Sequence, residues 1–231
     1  GSAVMLAALS ARAGWLNGWE FRRAITVDSS QIGADLVDFP VMVRLTTALI
    51  DMGVARPDGF DIRFTSSDGV TLLDFEREMH DAARDRGLYW VRLPLVSSSS
   101  DTTFYIYYGN PRAPDGAHPA GVWDDGHVAV WHLASSNGVS QADSTANGHA
   151  LTRYGEVAEG VAGIAGAGVS LDTGSETPQY LATPPDAFPI IDTTTGLTFS
   201  AWARPTKHGM ILACGGGNWH PWWRTSLSSS G

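Results

Sequence analysis

Six short segments in the first half of the chain read as strands, and in four of them successive residues are assigned to opposite faces with a period of two, a pattern that no helical arrangement satisfies. They are Phe21–Val27, Phe39–Leu45, Phe60–Phe64, Leu72–Met79, Tyr89–Leu95 and Phe104–Tyr108. In the second, Phe39, Val41, Val43 and Leu45 fall on one face and Arg44 on the other. In the third, Phe60, Ile62 and Phe64 oppose Asp61 and Arg63; in the sixth, Phe104, Ile106 and Tyr108 oppose Tyr105 and Tyr107. Turn residues such as Ser67-Asp68-Gly69 separate the runs, and only Ala48–Met52 offers a short helical interlude. Six strands joined by turns predict an antiparallel sandwich with Phe39, Val41, Val43, Phe60, Ile62, Phe64 and Ile106 in its core, and with Arg44, Asp61 and Arg63 exposed.

The sixth strand stops at Gly109-Asn110-Pro111, where Gly and Asn tolerate left-handed backbone and Pro cannot donate to a ladder. A stretch rich in Pro, Gly and Ala follows, and after Asp124-Asp125-Gly126 a further strand is expected at Val128–Leu133. This divides the chain into an N-terminal tail over residues 1–14, a β-sandwich over 15–125 and a second β-domain over 126–231. A hydrophobic content of 43% with 26 glycines among 231 residues suits two all-β domains of ordinary size. The net charge of −9 disfavours nucleic acid and anionic lipid surfaces as partners. One cysteine, Cys214, excludes an internal disulfide and reads as a small buried residue in the strand MILAC.

Gly1-Ser2 has the look of a cleavage scar, and Ala3–Ala13 is apolar and ends in Ala11-Arg12-Ala13. Those residues fit the tail of a secretory signal; a short amphipathic helix is the alternative reading. At that length the segment cannot span a bilayer, and no membrane insertion is expected.

The blocks WEFRR (19–23) with Ile25, DFPVMVRL, DGFDIRF, WVRLPL and YIYYGN, in that order, resemble the bacterial family known as domain of unknown function 2341, over roughly residues 15–125. The resemblance implies a place behind a signal peptide, in proteins classed with proton-channel-type biopolymer transporters of the inner membrane. It implies no catalytic residues. The blocks VAVWHL (128–133), DSTANGHALT (143–152), GVAGIAGAGVSLD (160–172) and LTFSAWARP (197–205) resemble a laminin-G-like, concanavalin A-like jelly roll. That likeness implies a core strand at 197–205, with Phe199, Ala201 and Ala203 opposing Ser200, Trp202 and Arg204. It covers fewer residues than a jelly roll needs to close both sheets, so the second domain is expected to be incomplete at residue 231.

Three constellations carry candidate chemistry. Asp74, Glu76 and Glu78 alternate along one strand and share a face, and alternate residues lie near enough for paired carboxylates of a retaining glycosidase. Glu76 and Glu78 are thus the alternative catalytic pair, set against a solvated acidic face. Asp143 and Asn147 lie in a turn, DSTANG, that offers oxygens to calcium or bonds its own backbone. Asn218, Trp219, His220, Trp222, Trp223 and Arg224, with Lys207 and His208, combine aromatic rings with hydrogen-bonding groups, the composition of a platform on which sugar rings stack. His127 and His132, five apart on an expected strand, point to opposite faces and give no zinc spacing.

The reading that follows is a non-catalytic extracytoplasmic binding module of the bacterial cell envelope, periplasmic or secreted, that recognises a glycan or an envelope protein. It needs no cofactor, calcium being the one candidate ion. The alternatives are a glycoside hydrolase of the concanavalin-like class, which needs two converging carboxylates in a cleft, and a structural spacer in an envelope transport assembly.

Overall fold

The structure, a computed structural model, describes residues 14–123, 126–134, 140–171, 177–184, 196, 198–206, 209–214 and 223–227, the last two segments by their backbone. The chain divides into two compact units. One runs to Val130 and includes Ser144–Asn147; the other holds Trp131–Asp143 and the residues from Gly148 on.

In the first unit, six strands form that overlap the expected segments, although Leu72–Asp74 stay outside β4 and Phe60–Ile62 outside β3. They are β1 (Phe21–Val27), β2 (Leu36–Leu45), β3 (Arg63–Thr65), β4 (Phe75–Asp81), β5 (Arg86–Val96) and β6 (Thr102–Tyr108). Two three-stranded antiparallel sheets form, in the orders β1-β6-β3 and β2-β5-β4. Their inner faces share one core. Phe64 from the first sheet meets Phe75 and Tyr89 from the second at 5.4 and 5.8 Å between ring centroids, with Val43, Leu45, Val91, Leu93, Phe104, Ile106 and Tyr108 around them. These are the packed, opposed inner faces of an antiparallel β-sandwich.

Several expectations are corrected at the ends of the sandwich. Arg44 is exposed as expected, but Asp61 is 0% exposed and Arg63 is buried. The Phe60–Phe64 strand is shortened to Arg63–Thr65 because the residues before it fold into a plug over one end of the sandwich. Within the plug the Asp61 carboxylate accepts from the amides of Arg56 (3.0 Å) and Gly109 (2.7 Å), and Arg63 donates to the carbonyls of Phe60, Ile62 and Pro114. Backbone groups thus supply the partners that permit these side chains to be buried. Phe60 is half-buried, with the guanidinium carbons of Arg56 and Arg77 5.4 and 4.9 Å from its ring centre.

Phe39 is exposed, against expectation, although its cross-strand partner Leu93 is buried, and the alternation slips at the preceding residue, Asp38. Asp38 takes a left-handed φ of 51° between the pairs Val37↔Leu95 and Phe39↔Leu93, so it stands opposite Pro94. Past this kink Leu36 and Val96 turn to the core, while Val37 and Leu95 turn out.

After β6 the chain runs back along β4, where the His118 amide bonds the Phe75 carbonyl at 2.8 Å. A single helical turn, α1 (Pro119–Val122), then crosses the outer face of the β2-β5-β4 sheet. Residues 126–134 form no strand, so the expected strand at Val128–Leu133 is absent and His127 and His132 share no ladder.

The second unit is also antiparallel. β7 (Ser140–Gln141), β8 (Leu151–Tyr154) and β11 (Tyr180–Ala182) form one sheet in the order β11-β8-β7; β9 (Ala158–Ala162) pairs with β10 (Ala167–Ser170), and β12 (Gly209–Cys214) with β13 (Trp223–Leu227). The core strand expected at 197–205 is not formed over its described residues 198–205, where Phe199 and Trp202 are exposed.

Candidate functional site

The acidic stripe of β4 is the most heavily engaged group of titratable side chains on the outer face of the first unit. A bulge between Arg77 and Met79 shifts the register at Glu78, while Glu76 stands opposite Trp90 of β5. The Trp90 indole donates to Glu78 Oε2 at 2.7 Å. Trp123, delivered by α1, lies 5.3 Å from the Trp90 ring and donates its own indole N–H to Glu76 Oε2 at 2.9 Å. Ser144 Oγ donates to Glu76 Oε1 at 2.6 Å. Glu76 is 7% exposed and Trp123 is buried with it, so the stripe is not the solvated face that period two alone suggests. A buried carboxylate held by a donor on each oxygen is a structural tie, strengthened by the charge.

Asp74, the third acid of the stripe, is exposed and pairs with His118 at Nδ1, 2.9 Å away. Gly121 makes room for that pair, since a β-carbon there would lie 2.4 Å from His118 Nδ1 and 2.7 Å from the Asp74 carboxyl carbon. Arg92, on β5, donates from Nη1 to the Gly121 carbonyl at 3.2 Å. Its Nε lies 3.3 Å from Asp38 Oδ1, a charge contact whose alignment falls short of a hydrogen bond. Asp38, Leu72, Leu73, Asp74, Arg92 and Pro94 line an open cleft of about 200 Å³.

The plug end is electrostatically tighter. Arg77 grips Asp115 through both carboxylate oxygens, at 2.9 and 2.6 Å, and this bonding draws the Asp115 carboxyl down to about 2. His80 is held below the ordinary histidine range by burial. Burial also pushes the Tyr89 hydroxyl far above its usual value. Desolvation dominates in both cases, and the contacts are those of a packed end wall.

Of the other candidates, Asp143 accepts from the His149 amide at 2.8 Å. Asn147 donates from its side-chain amide to the carbonyls of His127 and Val128 at 3.2 and 3.0 Å. Among the described residues no group of three or more His, Cys, Asp or Glu is arranged to hold a metal ion. Lys207, His208, Asn218, Trp219, His220 and Trp222 lie outside the described residues. Trp223 and Arg224 begin β13, and their side chains lie outside them too. The second unit does present other aromatic groups. Trp202 is 81% exposed, and Tyr154 and Tyr180, partners across β8 and β11, stack at 4.6 Å with both rings open to solvent.

The residues that sequence reasoning missed are Trp90 and Trp123. A tryptophan at an outward strand position opposite alternate glutamates is the signal that was available for the first. Nothing in the connector marks the second as reaching back to β4.

These features define an antiparallel β-sandwich whose outer face is closed by its own connector. Residues 58–132, from the plug through α1 to just past Val130, match the family described as Domain of unknown function (DUF2341). The match includes Glu76, Glu78, Trp90 and Trp123; the resembling blocks at 19–23 and 38–45 fall before it. Comparison with curated proteins and with solved structures returns no match.

Proposed function

We propose that the chain is a non-catalytic binding module of the cell envelope, whose second unit recognises a glycan by stacking sugar rings on exposed aromatic side chains. The observation that carries this reading is Trp202, almost fully open to water within a segment free of strand structure. A tryptophan left exposed forgoes about 1.5–3 kcal/mol of burial, so its position asks for a ligand or partner. The stacked Tyr154 and Tyr180 extend the same chemistry. Trp219, Trp222 and Trp223, with Asn218, His220 and Arg224, are proposed to complete the platform, on a jelly-roll framework. Calcium at Asp143 and Asn147 is a proposal of the same standing, tested by whether chelation alters glycan affinity.

Binding is favoured over hydrolysis because Glu76 and Glu78 are each engaged by an indole N–H, and Glu76 is covered. The extracytoplasmic setting, and a partnership with a proton-channel-type transporter, rest on the family resemblance of the first unit. Among the described residues no helix is long and apolar enough to cross a membrane.

A glycan array probed with the protein, followed by Trp202→Ala and Trp219→Ala, tests the reading. Expected is binding to one glycan class that falls at least about tenfold in one or both variants while Tm is unchanged. Absence of glycan binding, or variants that lose stability without losing affinity, overturns it.

A further inference from the structure

We infer that the cleft between Asp38 and Asp74 in the first unit, with its apolar rim, docks an extended segment of a partner protein through one basic side chain flanked by apolar residues. This goes beyond the glycan reading and stands whether or not the second unit binds sugar.

The rim is unusual for a surface. Val37 is 69% exposed and Leu72 58%, and Leu95 and Phe39 are exposed with them. Val37 and Leu95 are direct cross-strand partners. Leu72 lines the cleft beside Asp38 and Pro94, the chain neighbours of Val37 and Leu95. The Val37–Leu95 pair beside the cleft that Leu72 lines gives it an apolar margin on which a partner's apolar side chains can rest.

The backbone at the cleft is bent at a cost. Asp38 holds a left-handed conformation as the third residue of a ten-residue strand, opposite Pro94, which has no N–H to give. Aspartate tolerates that region better than most residues but does not prefer it. The kink turns Val37 and Leu95 outward and brings the Asp38 carboxylate to the cleft wall. An unkinked strand would continue the alternation of Val41 and Val43 and send Val37 to the core.

Size and charge choose the occupant. About 200 Å³ is below the roughly 300–1,000 Å³ of pockets that enclose small molecules, and suits one long side chain. Asp38 and Asp74, both about half exposed, face Arg92 alone among the charged lining residues, which leaves the cleft one negative charge in excess. Arg92 spends Nη1 on Gly121 and its charge on Asp38, so Asp74, shared only with an exposed histidine, is the acceptor open to an incoming guanidinium or ammonium. The rim takes the apolar neighbours of that residue. β2 is an edge strand of its sheet, so an extended segment can approach alongside it.

The probe is a blocked synthetic decapeptide of alternating valine and threonine with one central arginine, titrated into the full chain and followed by calorimetry. Its partner replaces arginine with citrulline, which keeps the shape and removes the charge. Expected is measurable binding of the arginine peptide, weakened at least about tenfold with citrulline, and weakened likewise by Asp74→Asn and by Leu72→Ser. Tm and the amide NMR spectrum establish that both variants are folded, and Asp38→Asn, which keeps a side chain suited to left-handed backbone, serves as a second charge variant. Glycan binding is unchanged in all three, which separates this outcome from that of the second unit. Equal affinity for the two peptides, or no binding up to about 1 mM, overturns the proposal. So does a dimer in sedimentation that Leu72→Ser dissociates, since the face then belongs to a second copy.

Discussion

The hydroxyl of Tyr89 donates to Nδ1 of His80 at 2.8 Å, and the opposite ring nitrogen, Nε2, lies 3.0 Å from the Arg56 carbonyl. A carbonyl can only accept, so Nε2 carries a proton, and because burial disfavours the charged ring, Nδ1 is left bare to accept from the Tyr89 hydroxyl. His80 is therefore neutral in the folded chain, in line with its lowered pKa. The unfolded chain binds a proton near pH 6.5 and the folded chain only below that, so stability is full above about 6.5 and declines as pH falls toward the folded value. Denaturant midpoints at pH 7.5 and 5.5 should differ, and His80→Gln should flatten that part of the profile. A profile unchanged by the substitution would assign the slope elsewhere.

Asp115 titrates in the other sense. Its folded pKa of about 2 lies below the ordinary aspartate value, so Arg77–Asp115 stabilises above about pH 4 and the contribution is lost as pH falls through 2. Asp115→Asn should lower stability at neutral pH and reduce acid sensitivity below pH 4. Arg77→Lys, which cannot reproduce the two-pronged grip, should behave similarly. Acid titration followed by circular dichroism reads both.

Asp61→Ala should be among the most damaging substitutions in the first unit. It orphans the buried amide of Gly109, at about 1–3 kcal/mol, and the part-buried amide of Arg56 at less. Asp61→Asn keeps one acceptor and should cost less. Urea melts would order the three proteins; equal stability of Ala and Asn variants would contradict the carboxylate's bridging role.

Gly59→Ala should also destabilise. The residue has a φ of +68°, and an added β-carbon would stand 2.6 Å from the Tyr89 hydroxyl and 2.8 Å from the His80 ring. Strain and clash both act on the His80–Tyr89 bond, so the variant should lose the pH dependence as well as part of the Tm.

Glu76→Gln and Glu78→Gln should leave ligand affinity nearly unchanged, and no turnover of a polysaccharide panel is expected. Glu76→Ala should instead lower stability, because the Trp123 indole and Ser144 hydroxyl lose their acceptor. Polysaccharide hydrolysis abolished by either Gln variant would make the pair catalytic.

The strands of the sandwich were legible where alternation was regular. Phe104, Ile106 and Tyr108 turn inward together, as do Val43 and Leu45. Legibility failed where a distant segment changed a residue's surroundings. Asp61 and Arg63 read as surface charges because nothing local announces that Gly109 and Pro114 will meet them. Val37 turns out and Leu36 turns in because one left-handed residue shifts the alternation, and an aspartate in a strand pattern does not advertise its φ. The acidic stripe was placed correctly on one face, but its burial depends on Trp123, which lies outside any periodic run. The proposed aromatic platform was read from composition, and most of it lies outside the described residues.

Trp123 leaves the ribosome 47 residues after Glu76. All six strands of the sandwich precede it in the chain, so the sheets can pair while the acid and the Trp90 ring still face water. Only when the connector emerges can its indole settle on β4, and the serine that completes the tie comes later still. Closure of the face therefore waits for synthesis to reach Trp123, and its completion for Ser144. A chain interrupted before that point would carry an open acidic, aromatic surface, the kind of unfinished feature that quality control by chaperones and proteases can distinguish from the completed protein.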